Sequence, residues 1–113
     1  MHELSICASI ADIVRRRAQQ RHVTTIHLRI GRLRQIVPET LEYCWSVLSS
    51  ETELDGSTLD VEYVPARITC VTCSASTDLG ELPLFMCTEC GGVDVSVISG
   101  EEFLVTALDL AGA

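Results

Sequence analysis

The chain contains no lysine, and seven of its eight arginines crowd between Arg15 and Arg34. Residues 1–34 set those seven against Glu3 and Asp12, a net of +5, while residues 35–113 carry −13, which gives −8 for the whole chain. A nucleic-acid binder presents a basic surface, and most of this one is acidic. Nucleic acid is therefore not an expected partner, and the arginines read as a solvated helix face or a patch for an acidic protein. Nor does any apolar run approach the roughly 18 residues needed to span a bilayer, so no membrane insertion is expected. The start, Met1-His2-Glu3-Leu4-Ser5, carries an acid and lacks the basic segment of a secretory signal. A cytoplasmic location is the expectation. Repeats and low-complexity stretches are absent as well, which excludes solenoids and disordered linkers. What remains is 113 residues with 47% apolar content, enough for one ordinary domain or one domain with a small stapled appendage.

From Glu3 to about Gln20 the residues Leu4, Cys7, Ala11, Val14 and Ala18 recur at helical spacing, with Arg15, Arg16 and Arg17 in the last turns, where cations suit the helix dipole. Val23 to Ile30 alternates, with Ile26, Leu28 and Ile30 on one side and His27 and Arg29 on the other, and Gly31 ends or bulges this strand. Pro38 suits a first helical position, and Leu41, Cys44, Trp45 and Leu48 follow as an amphipathic stripe. Leu59, Val61 and Tyr63 alternate with acids in a second strand, and Phe103 to Leu110 reads as a third, largely buried one. The fold class is α+β: two helices packed on a three-stranded sheet, with an inserted zinc-ribbon-like lobe. The expected domains are 1–66 plus 98–113, and the inserted 67–97.

The insertion holds Cys70-x2-Cys73 and Cys87-x2-Cys90. In a reducing compartment, such pairs are metal ligands or redox centres rather than structural disulfides. Two residues between cysteines let one tight turn aim both sulfurs at a point, and the glycines after Cys90 permit the positive φ that turns amides toward thiolates. Two facing knuckles form a tetrahedral sulfur cage that suits Zn(II), and four protein ligands leave no open position, so the site is structural. The segment is too short and too poor in large side chains to fold by burial alone. A redox pair of the thioredoxin type would open a helix after a strand, and this segment does not; an iron–sulfur cluster is the other alternative to zinc for four cysteines. Cys7 and Cys44 sit on helix stripes with no partner at ligand spacing, and read as small core residues.

His22 falls in a helix–strand turn and His27 on a wet strand face, both surface positions. His2 has a different chemistry. Its imidazole, its own backbone nitrogen and the α-amine of Met1 can chelate one ion in small rings, the planar nitrogen coordination that Ni(II) or Cu(II) prefers.

Met1-His2-Glu3-Leu4-Ser5-Ile6, Ile30-Gly31-Arg32-Leu33, Val37-Pro38-Glu39, the double CxxC and Gly100-Glu101-Glu102-Phe103 together resemble the HypA/HybF family of hydrogenase maturation factors. The resemblance runs in order along essentially the whole chain. It departs from the usual pattern at Thr88, where proline is common, and at Ser74, where glycine is common. The resemblance implies a non-enzymatic nickel metallochaperone. Ni(II) would be held as cargo at the N-terminus by His2 and Met1 with Glu3 adjacent, and Zn(II) by Cys70, Cys73, Cys87 and Cys90. The implied partners are a nickel-binding GTPase and the large subunit of [NiFe] hydrogenase, with urease a further client in some members; a homodimer is compatible with it. The alternatives are a zinc-ribbon interaction module without nickel, which would tolerate loss of His2, and a redox enzyme using the CxxC pairs.

Overall fold

The computed structural model describes residues 3–80 and 84–112. The elements run α1 (Glu3–Ala18), β1 (Val23–Gly31), a short 3₁₀ turn (Arg32–Arg34), α2 (Pro38–Ser49), β2 (Thr58–Val64), β3 (Arg67–Cys70), β4 (Ser76–Asp78), β5 (Val95–Ser99) and β6 (Phe103–Leu110). The two helices and the three expected strands thus appear in the expected order. Within the insertion, β3, β4 and β5 are additional; at three to five residues each, they are too short for a periodicity to stand out. The strands form two three-stranded sheets, ordered β2-β1-β6 and β4-β3-β5. The chain divides into two compact units, one of Met1–Arg29, Ile36–Glu62 and Leu104–Ala113, the other of Ile30–Gln35 and Tyr63–Phe103.

In the first unit α1 packs against α2, and Cys7, Ile10, Val14, Ile26, Leu28, Leu41 and Trp45 are buried. Each such aliphatic side chain contributes roughly 1.5–3 kcal/mol of transfer free energy. The stripe on α1 is phased through Glu3, Cys7, Ile10, Ala11, Val14 and Ala18, which leaves Leu4, expected inside, 59% exposed. The helix ends where Gln19 and Gln20 take left-handed φ values of 50° and 72°. The start of α2 has no side-chain cap on Val37. Instead the Val37 N–H donates to the Glu3 carboxylate at 3.0 Å, so a buried acid from α1 satisfies a donor that would otherwise be orphaned. Trp45 Nε1 donates to Ser57 Oγ at 3.1 Å, and that hydroxyl donates to the Leu54 carbonyl at 2.6 Å, pinning the loop after α2. Strand β6 is not largely buried as expected: only Val105 is inside, because β6 lies at an edge of its sheet.

Most of the arginines are exposed, as a solvated face would have them, and several still find partners. Arg15 pairs with Glu53, Arg16 with Asp12 and Arg29 with Glu62. Arg17 donates to the Val105 carbonyl.

In the second unit β3 pairs antiparallel with both β4 and β5, and Ile68, Val64 and Ala66 are buried. Gly31 closes β1 because the chain passes directly against Gly100. The Gly31 N–H donates to the Glu102 carbonyl at 2.8 Å, and the Leu33 N–H to the Gly100 carbonyl at 2.9 Å. Arg34 Nε donates to the Glu101 and Glu102 carbonyls, and its guanidinium lies over the Phe103 ring. Two motifs far apart in sequence thus meet as one backbone joint.

Candidate metal centre

Strand β3 ends on Cys70, and a tight turn brings Cys73 round beside it. The Ser74 N–H bonds to the Cys70 carbonyl, and the Cys70 N–H to the Ala75 carbonyl, both at 2.9 Å. The second knuckle repeats the pattern: Gly91 N–H to the Cys87 carbonyl and Cys87 N–H to the Gly92 carbonyl, again at 2.9 Å. In each knuckle the residue after the second cysteine is left-handed, Ser74 at φ 65° and Gly91 at φ 73°. Gly91 is the glycine the turn was expected to need; Ser74 adopts the same conformation without that freedom. A Cβ at Gly92 would be tight, 3.2 Å from Cys90 Sγ, so a side chain there would make that sulfur give by a few tenths of an ångström.

The two knuckles face each other. All four sulfurs lie within 4.8 Å of one another, with Cys70 to Cys90 at 3.6 Å and Cys73 to Cys87 at 3.5 Å. A disulfide needs about 2.05 Å, and none of the cysteines is so bonded. A tetrahedron of Zn–S bonds of about 2.3 Å has edges of about 3.8 Å, close to the observed spacing. Within each knuckle the first cysteine is buried and the second exposed.

The protonation chemistry of the cluster points the same way. Amides of Cys73 and Thr72, opposed by burial, bring the Cys70 thiol down to about 7. The Cys90 and Glu89 amides lower Cys87 in the same fashion, Glu89 N–H approaching its sulfur at 3.4 Å. For Cys73 the Ala75 amide pulls downward, but the Cys87 sulfur, burial, and the Cys70 and Cys90 sulfurs outweigh it and push the thiol up to about 12. Cys90 is likewise raised: the Gly92 amide lowers it, and the Cys70 and Cys87 sulfurs prevail. Four sulfurs this close cannot all ionise on their own; a divalent cation is what lets all four become thiolates. The donor set therefore fits a four-coordinate soft metal such as zinc.

Of the other residues singled out, Met1 and His2 lie outside the described residues. Glu3 is buried, its carboxylate accepting the Val37 amide. Cys7 is fully buried and donates to the Leu41 carbonyl at 3.6 Å; burial first, then the charges of Cys44 and Glu3, push its thiol up to about 11. Cys44 is only half-buried. His27 is on the exposed sheet face as expected, but it also bonds Asp60 and Asp109, acids some 33 and 82 positions away that no local pattern could pair with it. Five large apolar side chains on or beside the knuckles, Val71, Leu84, Phe85, Met86 and Val93, are exposed, and a cleft of about 410 Å³ lies beside Cys87, lined by Leu79, Leu84 and Met86.

A family model described as hydrogenase/urease nickel incorporation, metallochaperone, HypA matches residues 1–110. A hydrogenase maturation factor HypA of Geotalea uraniireducens is 39% identical over 110 residues, spanning 97% of this chain and 99% of that protein. Its counterpart in Streptomyces avermitilis is 34% identical over 112 residues, spanning 96% and 86%. The solution structure of the nickel metallochaperone HypA from Helicobacter pylori matches with a TM-score of 0.66 at 20% identity, covering 97% of each chain, a likeness of fold. This chain belongs to the HypA family of nickel-incorporation metallochaperones.

Proposed function

We propose that this chain binds Ni(II) at its N-terminus, through the α-amine of Met1 and the backbone nitrogen and imidazole of His2, and delivers it to the large subunit of [NiFe] hydrogenase with a nickel-binding GTPase. The observation that carries this reading is the closure of the four-cysteine site. Among the described residues, Cys70, Cys73, Cys87 and Cys90 are the one group of three or more His, Cys, Asp or Glu able to hold an ion. Four thiolates leave no open position for cargo. Zn(II) then serves as a permanent staple of the 67–97 lobe, and nickel needs a second, exchangeable site of nitrogen donors. Glu3 contributes by anchoring: its bond to the Val37 amide holds the third residue against the start of α2. Release proceeds by ligand exchange, since a site with few protein ligands yields its ion to one with more. The protein acts as a carrier rather than a catalyst, in the cytoplasm; no helix among the described residues is long and apolar enough to cross a membrane. The exposed Val71, Leu84, Phe85, Met86 and Val93 favour the zinc lobe as a surface for protein partners, since clustered exposed apolar side chains mark interaction sites.

Calorimetry with Ni(II) tests the site. The zinc-loaded protein with a free N-terminus should bind one Ni(II). His2→Ala should abolish that binding while zinc stays, and one or two residues added before Met1 should weaken it by turning the α-amine into an amide. Affinity should fall as pH drops below about 7, because an imidazole (about 6.5) and an α-amine (about 7.7–8.0) must both lose protons to bind. Equal affinity with blocked and free N-termini, unchanged in His2→Ala, would remove the site and leave the zinc-ribbon interaction module as the better account.

A further inference from the structure

The centre of the β2-β1-β6 sheet carries a charge arrangement that metal delivery does not use. His27 projects from the middle strand β1. Its Nδ1 lies 3.0 Å from Asp60 Oδ2 on β2, and its Nε2 lies 3.0 Å from Asp109 Oδ2 on β6. One imidazole therefore reaches a carboxylate on each edge strand of the sheet. A neutral imidazole has one N–H and one lone pair, whereas both carboxylates only accept. Two hydrogen bonds of this kind exist together only when both ring nitrogens carry protons. With both aspartates ionised, the geometry fits the imidazolium.

We propose that His27 is a proton-operated clamp that ties both edge strands of the sheet to its centre, closed when the ring is doubly protonated and opened when one proton leaves. On deprotonation one ring lone pair faces a carboxylate at hydrogen-bond distance, and Asp60 or Asp109 must turn away. The remaining charges on this face do not replace the lost bond. Arg29, next outward on β1, approaches Glu62 of β2 at 3.4 Å, and Thr106 on β6 donates its hydroxyl to the His27 carbonyl rather than to the ring. On the far side of β1, Ile26 and Leu28 are buried apolar residues. The ring is accordingly raised above its ordinary value of 6.5, foremost by the Asp109 hydrogen bond, with burial opposing and Asp60 adding to it. Because the folded-state pKa is the higher one, the clamp's contribution is fully present below about pH 6.5. It is lost as pH rises through the folded-state value. Binding of an N-terminal nickel ion runs the opposite way with pH, so the strands loosen where cargo binding strengthens. The clamp does not depend on the nickel reading, and its test uses no metal.

The experiment follows the His27 ring by NMR in the intact protein from about pH 5 to 9, with thermal unfolding of wild type, His27→Gln, Asp60→Asn and Asp109→Asn over the same range. His27 should titrate above about 6.5 and show two protected ring N–H signals on the acid side. Each Asp→Asn change should lower its pKa. The gap in Tm between wild type and His27→Gln should be open in acid and close in base. Titration at or below the ordinary value, indifference to both asparagine variants, or a Tm gap independent of pH would each overturn the clamp. Should His27→Gln fail to fold, the asparagine variants decide the matter alone, since both aspartates are exposed.

Discussion

Replacing Gly31 with alanine tests the joint between the Ile30-Gly31-Arg32-Leu33 and Gly100-Glu101-Glu102-Phe103 motifs. A Cβ at position 31 would lie 1.9 Å from the Gly100 carbonyl oxygen, 2.0 Å from its carbon and 2.5 Å from the Glu101 nitrogen. All three are backbone atoms, so no side chain can swing aside. The two segments must separate, and the bonds from Gly31 N–H to Glu102 and from Leu33 N–H to Gly100 stretch or break. Two such bonds are worth about 0.5–1.5 kcal/mol each, and forced overpacking about 1–3 kcal/mol, so Gly31→Ala should cost about 2–6 kcal/mol. That is a large share of the roughly 5–15 kcal/mol that holds an average domain. The sign is diagnostic. Gly31 sits at φ −75° and ψ 144°, a conformation any residue adopts. Without the close approach, alanine would instead stabilise by about 0.4–1 kcal/mol through its lower unfolded-state entropy. Urea unfolding followed by circular dichroism measures the difference, with the midpoint falling at unchanged slope. A midpoint equal to wild type or higher would show that the two motifs do not meet as described.

The metal lobe gives two further expectations. Elemental analysis of the reduced, freshly isolated protein should find one Zn(II) per chain. Cys87→Ser should release it and disorder the lobe, because a structural zinc supplies an apparent 10–16 kcal/mol or so that this small core cannot replace; metal-free wild type with an ordered lobe would defeat this. Ser74→Gly should raise stability by up to about 1.5 kcal/mol, the left-handed penalty of about 1–2 kcal/mol less the entropic cost of glycine, about 0.5–1 kcal/mol. The midpoint of chelator-induced unfolding reads it, and a loss of similar size would mean that the Ser74 side chain does something its φ of 65° does not reveal.

The amino-acid sequence alone determined the order of helices and strands, because Val23–Gly31 and Pro38–Ser49 obey periods of two and about 3.6 residues that need no tertiary information. It determined that the four cysteines converge as well, since CxxC spacing is a local turn constraint, and the two turns bring all four sulfurs within 4.8 Å of one another. Other features depended on contacts between distant positions. Which side of α1 faces inward, leaving Leu4 outside and Glu3 inside, was set by what packs against it. The exposure of β6 followed from its place at a sheet edge, which the apolar content of Phe103–Leu110 does not encode. The need for Gly31 came from a backbone that arrives from residue 100, and the raised pKa of His27 from two carboxylates on neighbouring strands. A sequence shows what each residue can do with its near neighbours. Only the folded chain brings the two aspartates to opposite ends of one imidazole, and that placement decides which protons stay.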